Sequence, residues 1–213
     1  MYDTVIFDLD GTLLNTLDDL RTSTNYALKA NGYPERTLSE IRRFVGNGVR
    51  KLIERAVPKG TDVAHTDKVF DDFKKHYDEH CNDETGPYDG IIELLKELKK
   101  RGLKTAIVSN KIQFAVEKLD EIYFKGLIDV AAGVEEGKPT KPDPYMVDKI
   151  ISKLGTDKKK VLYVGDSQVD VQTAKNAGLN MVTVLWGFRD KDELIEAGAT
   201  HFIEKPMELL KFL

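Results

Sequence analysis

A doubly wound parallel α/β sheet with a helical insertion after its first strand is the fold that this 213-residue chain predicts. Three observations carry that expectation. The run Val5-Ile6-Phe7 is apolar, β-branched or aromatic, and stops abruptly at Asp8-Leu9-Asp10-Gly11-Thr12, as a buried strand does. From Asn15 to Gly86 apolar residues recur at helical spacing and nothing reads as a strand. From Tyr88 onward, short apolar runs alternate with helical ones, the signature of parallel strands joined by crossover helices.

Each element has a local reason. Asn15 or Thr16 can cap a helix running to about Asn31, with Leu17, Leu20, Ala27 and Leu28 on one face, and Gly32-Tyr33-Pro34 ends it. Thr37 or Ser39 opens a short helix through Ile41, Phe44 and Val45. Gly46-Asn47-Gly48 breaks that helix before a third bearing Val49, Leu52, Ile53 and Ala56. After Pro58-Lys59-Gly60, a longer helix over about 67–81 carries Val69, Phe70, Phe73 and Tyr77. Residues 91–101 form a helix with Ile91, Leu94, Leu95 and Leu98 inward, stopped at Gly102. A strand over 103–108 leads to Ser109-Asn110-Lys111. A helix with Phe114, Val116 and Leu119, a weak strand near 128–132 and a loop over 133–144 follow. Then come a helix at 145–154, a strand at 161–164 ending in Gly165-Asp166-Ser167, a helix around 171–177 and a strand at 181–185. The pair 200–203 and 206–213 closes the chain. The expected division is a core of residues 1–15 and 86–213 around a helical domain of residues 16–85, with Gly86 and Pro87 suited to the second hinge.

Composition narrows the function classes. A 41% hydrophobic and 32% charged chain is that of an ordinary soluble protein. The net charge of −4 argues against nucleic acid, which demands a basic face. The single cysteine, Cys81, excludes an intramolecular disulfide and fits a reducing compartment. No apolar run approaches the ~20 residues of a membrane span, and Met1 is followed almost at once by the first strand, leaving no room for a signal peptide. A cytoplasmic location is therefore expected.

The chemistry should sit at the carboxyl ends of the strands, where open parallel sheets bind ligands. Four such ends carry polar groups: Asp8 with Asp10, Ser109, the lysine loop, and Asp166 with Asp170. Taken singly, each has a plain reading. Aspartate and glycine end strands, Ser109 leaves one, loop lysines are solvated, and Asp166 could cap the next helix. Together they place two like charges, i and i+2, on a buried strand, which is costly unless a cation offsets them.

The order and positions of these groups resemble the four motifs of the haloacid dehalogenase superfamily, in its phosphatase branch, over essentially the whole chain. The resemblance implies a Rossmann-like core with a small helical cap. It also implies that Asp8 is the nucleophile, giving an aspartyl-phosphate, and Asp10 the general acid and base. Ser109 and Lys141 would bind the phosphoryl oxygens, with Gly11, Thr12 and Asn110 completing the phosphate-binding set. Mg²⁺ would be held by Asp8, Asp166 and the backbone carbonyl of Asp10, and it suits such a site because it takes hard oxygen ligands and masks a phosphate dianion. Asp170 would hold the metal's waters or orient the lysine. In the stretch Gly137-Lys138-Pro139-Thr140-Lys141-Pro142-Asp143-Pro144, the family's lysine precedes Pro-x-Pro and a helix, which selects Lys141 and leaves Lys138 in a supporting place.

Val45-Gly46-Asn47-Gly48-Val49-Arg50-Lys51-Leu52 resembles the cap loop of the phosphoglycolate phosphatase group within that superfamily. Gly86-Pro87-Tyr88-Asp89-Gly90 and Gly198-Ala199-Thr200-His201-Phe202-Ile203 are also similar to that group. Arg50 or Lys51 would then meet a substrate carboxylate, against the plainer reading of solvated basic residues on a helix. Asn15 stands where the group usually has aspartate, which is expected to alter local capping only. His76, His80 and Cys81 lie close on one predicted helix and are read as cap packing. Lys158-Lys159-Lys160 is read as a solvated turn, and Trp186-Gly187-Phe188-Arg189 as packing near the rim. The expected activity is Mg²⁺-dependent hydrolysis of a small, phosphoglycolate-like phosphate monoester by a monomer or homodimer. A β-phosphoglucomutase-like mutase or a pyrophosphatase would use the same aspartates. A phospho-accepting signalling module is the alternative from another class, disfavoured by Gly11-Thr12 and by the inserted helices.

Overall fold

The computed structural model describes residues 1–213. Six strands form one parallel sheet: β1 (Thr4–Phe7), β4 (Lys104–Ile112), β5 (Val130–Val134), β6 (Val161–Gly165), β7 (Asn180–Val184) and β8 (Phe202–Ile203). Their order is β5-β4-β1-β6-β7-β8, while β2 (Leu14–Asn15) and β3 (Gly86–Pro87) make a separate two-stranded sheet. The chain therefore leaves central β1 and returns first on one side of it and later on the other, the switch point at which such sheets bind ligands. Phe7 lies in register with Ile107 and with Val164, so Asp8, Ser109 and Asp166 reach the same rim.

Alternation along the strands builds two apolar layers, as a sheet covered on both faces requires. Val5, Phe7, Ile107, Leu162 and Val164 pack with Ile91, Leu94, Leu95 and Leu98 of α5 (Ile91–Lys100) and with Val116 and Leu119 of α6 (Gln113–Tyr123). Ile6, Ala106, Val108, Val161 and Tyr163 pack with Met146, Val147 and Ile150 of α7 (Tyr145–Leu154) and with Ala174 and Ala177 of α8 (Gln168–Ala177).

The chain divides into two compact units, residues 1–14 with 87–213 and residues 15–86. The second is all helical between its ends: α1 (Leu17–Ala30), α2 (Leu38–Phe44), α3 (Val49–Ala56) and α4 (Val63–His80). Leu28, Ile41, Ile53, Val69 and Phe73 are fully buried. The buried Asp19 carboxylate of α1 accepts hydrogen bonds from the amides of Glu84 and Thr85 and from the Thr85 hydroxyl, tying the unit's last residues to its first helix.

Several elements extend beyond the sequence expectation, each for a local reason. Helix α4 begins at Val63, four residues before 67, because the Asp62 side chain caps it through the His65 amide. Helix α8 begins at Gln168 because Ser167, and not Asp166, forms a capping box with Asp170. Strand β4 runs on to Ile112, which pairs with Val134 past an irregularity after Val108, so Ser109-Asn110-Lys111 belongs to the strand itself. Helix α9 (Lys191–Glu196), opened by an Asp190–Glu193 capping box, was not foreseen. Asn15 does act locally, its side chain accepting from the Leu17 amide at 3.4 Å.

Candidate active site

The site is built from β1 outward. Asp8 directly follows Phe7, is buried, and receives two bonds on Oδ1, from the Leu9 amide at 2.7 Å and from Lys141 Nζ at 2.8 Å. Lys141 lies on the loop after β5, is itself buried, and also sits 2.8 Å from Asp170 Oδ1. Lys138, three residues earlier, is exposed. Asn110 fixes the lysine loop: its Nδ2 donates to the Lys141 carbonyl at 3.0 Å and its Oδ1 accepts from the Lys141 amide at 2.8 Å. Asn110, expected among the phosphate-binding groups, thus acts on the lysine's backbone. Ser109, buried beside it, accepts the Lys111 amide on Oγ at 3.2 Å.

Asp166 follows β6. Its Oδ2 accepts from the Phe188 amide at 2.7 Å and its Oδ1 from the Thr12 hydroxyl at 3.3 Å, so Thr12 holds a carboxylate. The backbone crowds this group. Gly11 has φ 85°, the left-handed region that favours glycine, and a Cβ there would overlap the Asp166 carboxylate. A Cβ on Gly187 would lie 2.5 Å from Asp166 Oδ2 and 2.5 Å from the Gly11 carbonyl oxygen. Trp186 braces the same turn by donating Nε1 to the Thr12 carbonyl at 3.0 Å.

Asp170 is saturated from within. Its Oδ1 accepts from Lys141 and from the Tyr163 hydroxyl at 3.1 Å, and its Oδ2 accepts from the Ser167 amide at 3.1 Å and the Ser167 hydroxyl at 2.5 Å. Of the two roles foreseen for it, these bonds match orientation of the lysine.

Carboxylate oxygens of Asp8, Asp166 and Asp170 lie within 4.8 Å of one another, all buried. Burial first, and Asp170 second, push the Asp8 carboxyl well above the usual carboxylate range against the pull of Lys141. The same causes push Asp166 up to about 7, while the Phe188 amide and Arg189 pull it down. Burial alone would lower the Lys141 ammonium, but Asp170 and Asp8 outweigh it and hold the group well above its ordinary value. Three carboxylates around one ammonium leave negative charge uncompensated. A hard divalent cation fits that excess, and since Asp170 is already occupied, Asp8 and Asp166 are the carboxylates that could ligate it.

A family model for haloacid dehalogenase-like hydrolases matches residues 5–184, from β1 through β7. The chain belongs to that family. As a haloacid dehalogenase-like hydrolase it is similar to a phosphoglycolate phosphatase of Mesorhizobium japonicum, 37% identical over 193 residues covering 88% of this chain and 84% of that protein. An N-acetylmuramic acid 6-phosphate phosphatase of Pseudomonas aeruginosa is 31% identical over 211 residues, covering 98% and 93%. A crystal structure from Lactobacillus delbrueckii subsp. bulgaricus, provisionally described as a phosphoglycolate phosphatase, superposes with a TM-score of 0.94 at 34% identity, covering 99% and 98%. The α/β core and the phosphatase type of this hydrolase follow.

The basic residues singled out in the helical unit of the hydrolase have partners there. Arg50 pairs with Glu54 at 3.1 Å and with Asp67, and Lys51 pairs with Glu54 at 2.6 Å, all substantially exposed. His76 bonds the Ser23 hydroxyl at 3.0 Å and stacks between Tyr26 and His80, while Cys81 is buried, an arrangement of packing.

Three contributors to the core site went unassigned in the sequence: Lys111, Tyr163 and Gly187. Lys111 stands within an otherwise buried strand, and its Nζ donates to Asp10 Oδ1 at 2.9 Å. Tyr163 is a hydroxyl-bearing residue on a fully buried strand, three before Asp166. Lys111 and Tyr163 shared one signal, a polar head where the strand pattern leaves room only for apolar side chains, whereas Gly187 acts by lacking a Cβ beside Asp166.

Proposed function

We propose that this hydrolase cleaves a small phosphate monoester in two steps through Asp8, and that phosphoglycolate is its preferred substrate. The observation that carries the reading is the buried Asp8 carboxylate held at the end of β1 by Lys141. Because both of its bonds fall on Oδ1, Oδ2 is the oxygen left to attack. The Oδ2–phosphorus bond forms as the bond from phosphorus to the leaving oxygen breaks, and the resulting aspartyl-phosphate divides one hard displacement into two. Asp10 gives a proton to the leaving oxygen and then takes one from the water that hydrolyses the intermediate. The Ser109 oxygen already accepts from Lys111, so its hydrogen is available to a phosphoryl oxygen, beside the charge of Lys141. Asp8, Asp166 and the Asp10 backbone carbonyl would hold Mg²⁺, which when bound supplies the positive charge that masks the phosphate dianion. The helical unit is assigned the role of a cap that selects the substrate.

The substrate assignment rests on the relatives. Phosphoglycolate and N-acetylmuramic acid 6-phosphate, named for two of them, each combine a phosphate monoester with a carboxylate. The second compound is the alternative, favoured by a relative that spans nearly the whole chain. The test is Mg²⁺-dependent phosphate release from both compounds, β-glucose 1-phosphate, pyrophosphate and p-nitrophenyl phosphate. A preference for phosphoglycolate of about tenfold in kcat/KM, about 1.4 kcal/mol of transition-state discrimination, is expected. Asp8→Asn should abolish turnover while circular dichroism shows the fold intact. Substantial residual activity in that variant would remove Asp8 as nucleophile.

A further inference from the structure

Lys111 is the buried lysine of the core site whose side chain the two-step reading leaves unused. It lies on β4, two residues past Ser109, with its side chain 2% exposed, whereas the side chain of its partner Asp10 is 22% exposed. An ammonium so buried is costly unless a partner offsets it, and its Nζ meets Asp10 Oδ1 at 2.9 Å. The backbone around it is equally fixed. The Lys111 amide donates to Ser109 Oγ, and a Cβ on Gly133 of neighbouring β5 would lie 2.6 Å from the Lys111 carbonyl oxygen.

We infer that Lys111 is a positioning residue for proton transfer: by holding Oδ1 of Asp10 it fixes the carboxyl and decides which oxygen faces the leaving group. The inference rests on the Asp8–Asp10 reading above and deepens it. An ammonium has three donors and no acceptor, so the oxygen facing it can only accept. With Oδ1 so held, Oδ2 is the oxygen left to meet a leaving group. In the first step the bond between phosphorus and the leaving oxygen breaks as the Asp8–phosphorus bond forms, and the proton passes from Asp10 Oδ2 to that leaving oxygen. Lys111 touches neither phosphorus nor the leaving group. Its effect is to hold Oδ1 and so spare Asp10 a search among rotamers, the kind of geometric preorganisation on which proton transfer depends. Through its amide, the same residue also turns the Ser109 hydrogen outward.

A leaving group that needs no proton makes this dependence visible. Aryl phosphates with acidic phenols depart largely unaided, whereas an alkyl phosphate such as phosphoglycolate requires the acid. The experiment compares kcat/KM for wild type, Lys111→Met, Lys111→Arg, Asp10→Asn and the Lys111→Met/Asp10→Asn double variant. The substrates are phosphoglycolate and a series of aryl phosphates of graded phenol acidity, at saturating Mg²⁺. The expected result is that Lys111→Met loses about tenfold or more on phosphoglycolate beyond its loss on p-nitrophenyl phosphate, with a steeper leaving-group dependence. The double variant should fall no further than Asp10→Asn alone, and Lys111→Arg should recover part of the loss. Equal losses on every substrate would mean that Lys111 is merely structural and would overturn the inference. So would additive losses in the double variant, or a change confined to KM, which would mark Lys111 as a direct anion contact. If Asp10→Asn steepens the leaving-group dependence and Lys111→Met does not, only the present inference falls. If wild type releases no phosphate from any ester, the hydrolytic reading falls and this one with it.

Discussion

Replacing Lys141 with methionine tests the charge arrangement on which the site stands, because it keeps the volume of the stem and deletes the ammonium. That ammonium lies 2.8 Å from an oxygen of Asp8 and 2.8 Å from an oxygen of Asp170, on a side chain 2% exposed. Removing one partner of a buried ion pair costs about 3–5 kcal/mol when the stranded charge stays ionised. Here the carboxylate cluster can escape that cost by taking up a proton, since the stranded Asp8 is already displaced well upward and its neighbour Asp166 to about 7. The loss should therefore sit near the lower figure, about 3 kcal/mol, and it should depend on pH. A carboxyl whose folded pKa lies above its unfolded value binds more protons in the folded chain, so stability falls as pH rises through the folded value. Without Lys141 that window moves higher and deepens. The variant should be close to wild type near about pH 5.5 and show its full loss near about pH 8. At about 2–4 °C per kcal/mol for a chain of this size, the full loss is about 6–12 °C in Tm. Calorimetry of the metal-free protein at both pH values measures it. A Tm loss equal at the two values, or no loss at all, would refute the argument that Lys141 is what keeps these carboxylates ionised.

Two further substitutions follow from packing and burial. Gly187→Ala puts a methyl group 2.5 Å from Asp166 Oδ2, so the carboxylate must move, and Mg²⁺ affinity measured by titration calorimetry should fall about tenfold or more; an unchanged affinity would show that the carboxylate has room to spare. Asp120 on α6 has an Oδ1 that is buried without a hydrogen-bond partner, and burial pushes its carboxyl up to about 6. The folded chain thus loses stability as pH rises from about 4 to about 6. Asp120→Asn should recover about 1 kcal/mol at pH about 8, after discounting for the part of the carboxyl that water reaches, and nothing at about pH 4. Urea titrations yielding the same difference at both pH values would count against a titrating cause.

The parts of the site that could be read in one dimension are those whose place depends on a single strand ending. Asp8, Asp10 and Asp166 each follow a short apolar run, and parallel strands beside one another bring such ends to one rim whatever the details of packing. Lys141 was legible through the family resemblance, in which the lysine precedes Pro-x-Pro and a helix, here α7. Lys111 was not, because its meaning depends on β4 continuing past Ser109 and on an irregular pairing with β5 that no local pattern announces. The bond from the Asn110 side chain to the backbone of Lys141 was not legible either, because that partner lies 31 residues away and offers no side-chain signature. The basic pair on α3 has partners that a string of letters only half announces: Glu54, one helical turn on, pairs with both Arg50 and Lys51, and Asp67, from α4, adds a second partner for Arg50.

In the proposed reaction, the distribution of charge between the two lysines follows from what each carboxylate would do. Asp8 would attack as an anion, and it is bonded to an ammonium that Asp170 also holds, so the lysine is fixed from two sides. Asp10 would give and take a proton, and its side chain, bonded to Lys111 through Oδ1, is 22% exposed. Two carboxylates two residues apart on one turn are thereby given different surroundings, one clamped and one half released. A sheet that carries a separate lysine to each, from β4 and from the loop after β5, is a direct way to keep two nearby acids from sharing one role.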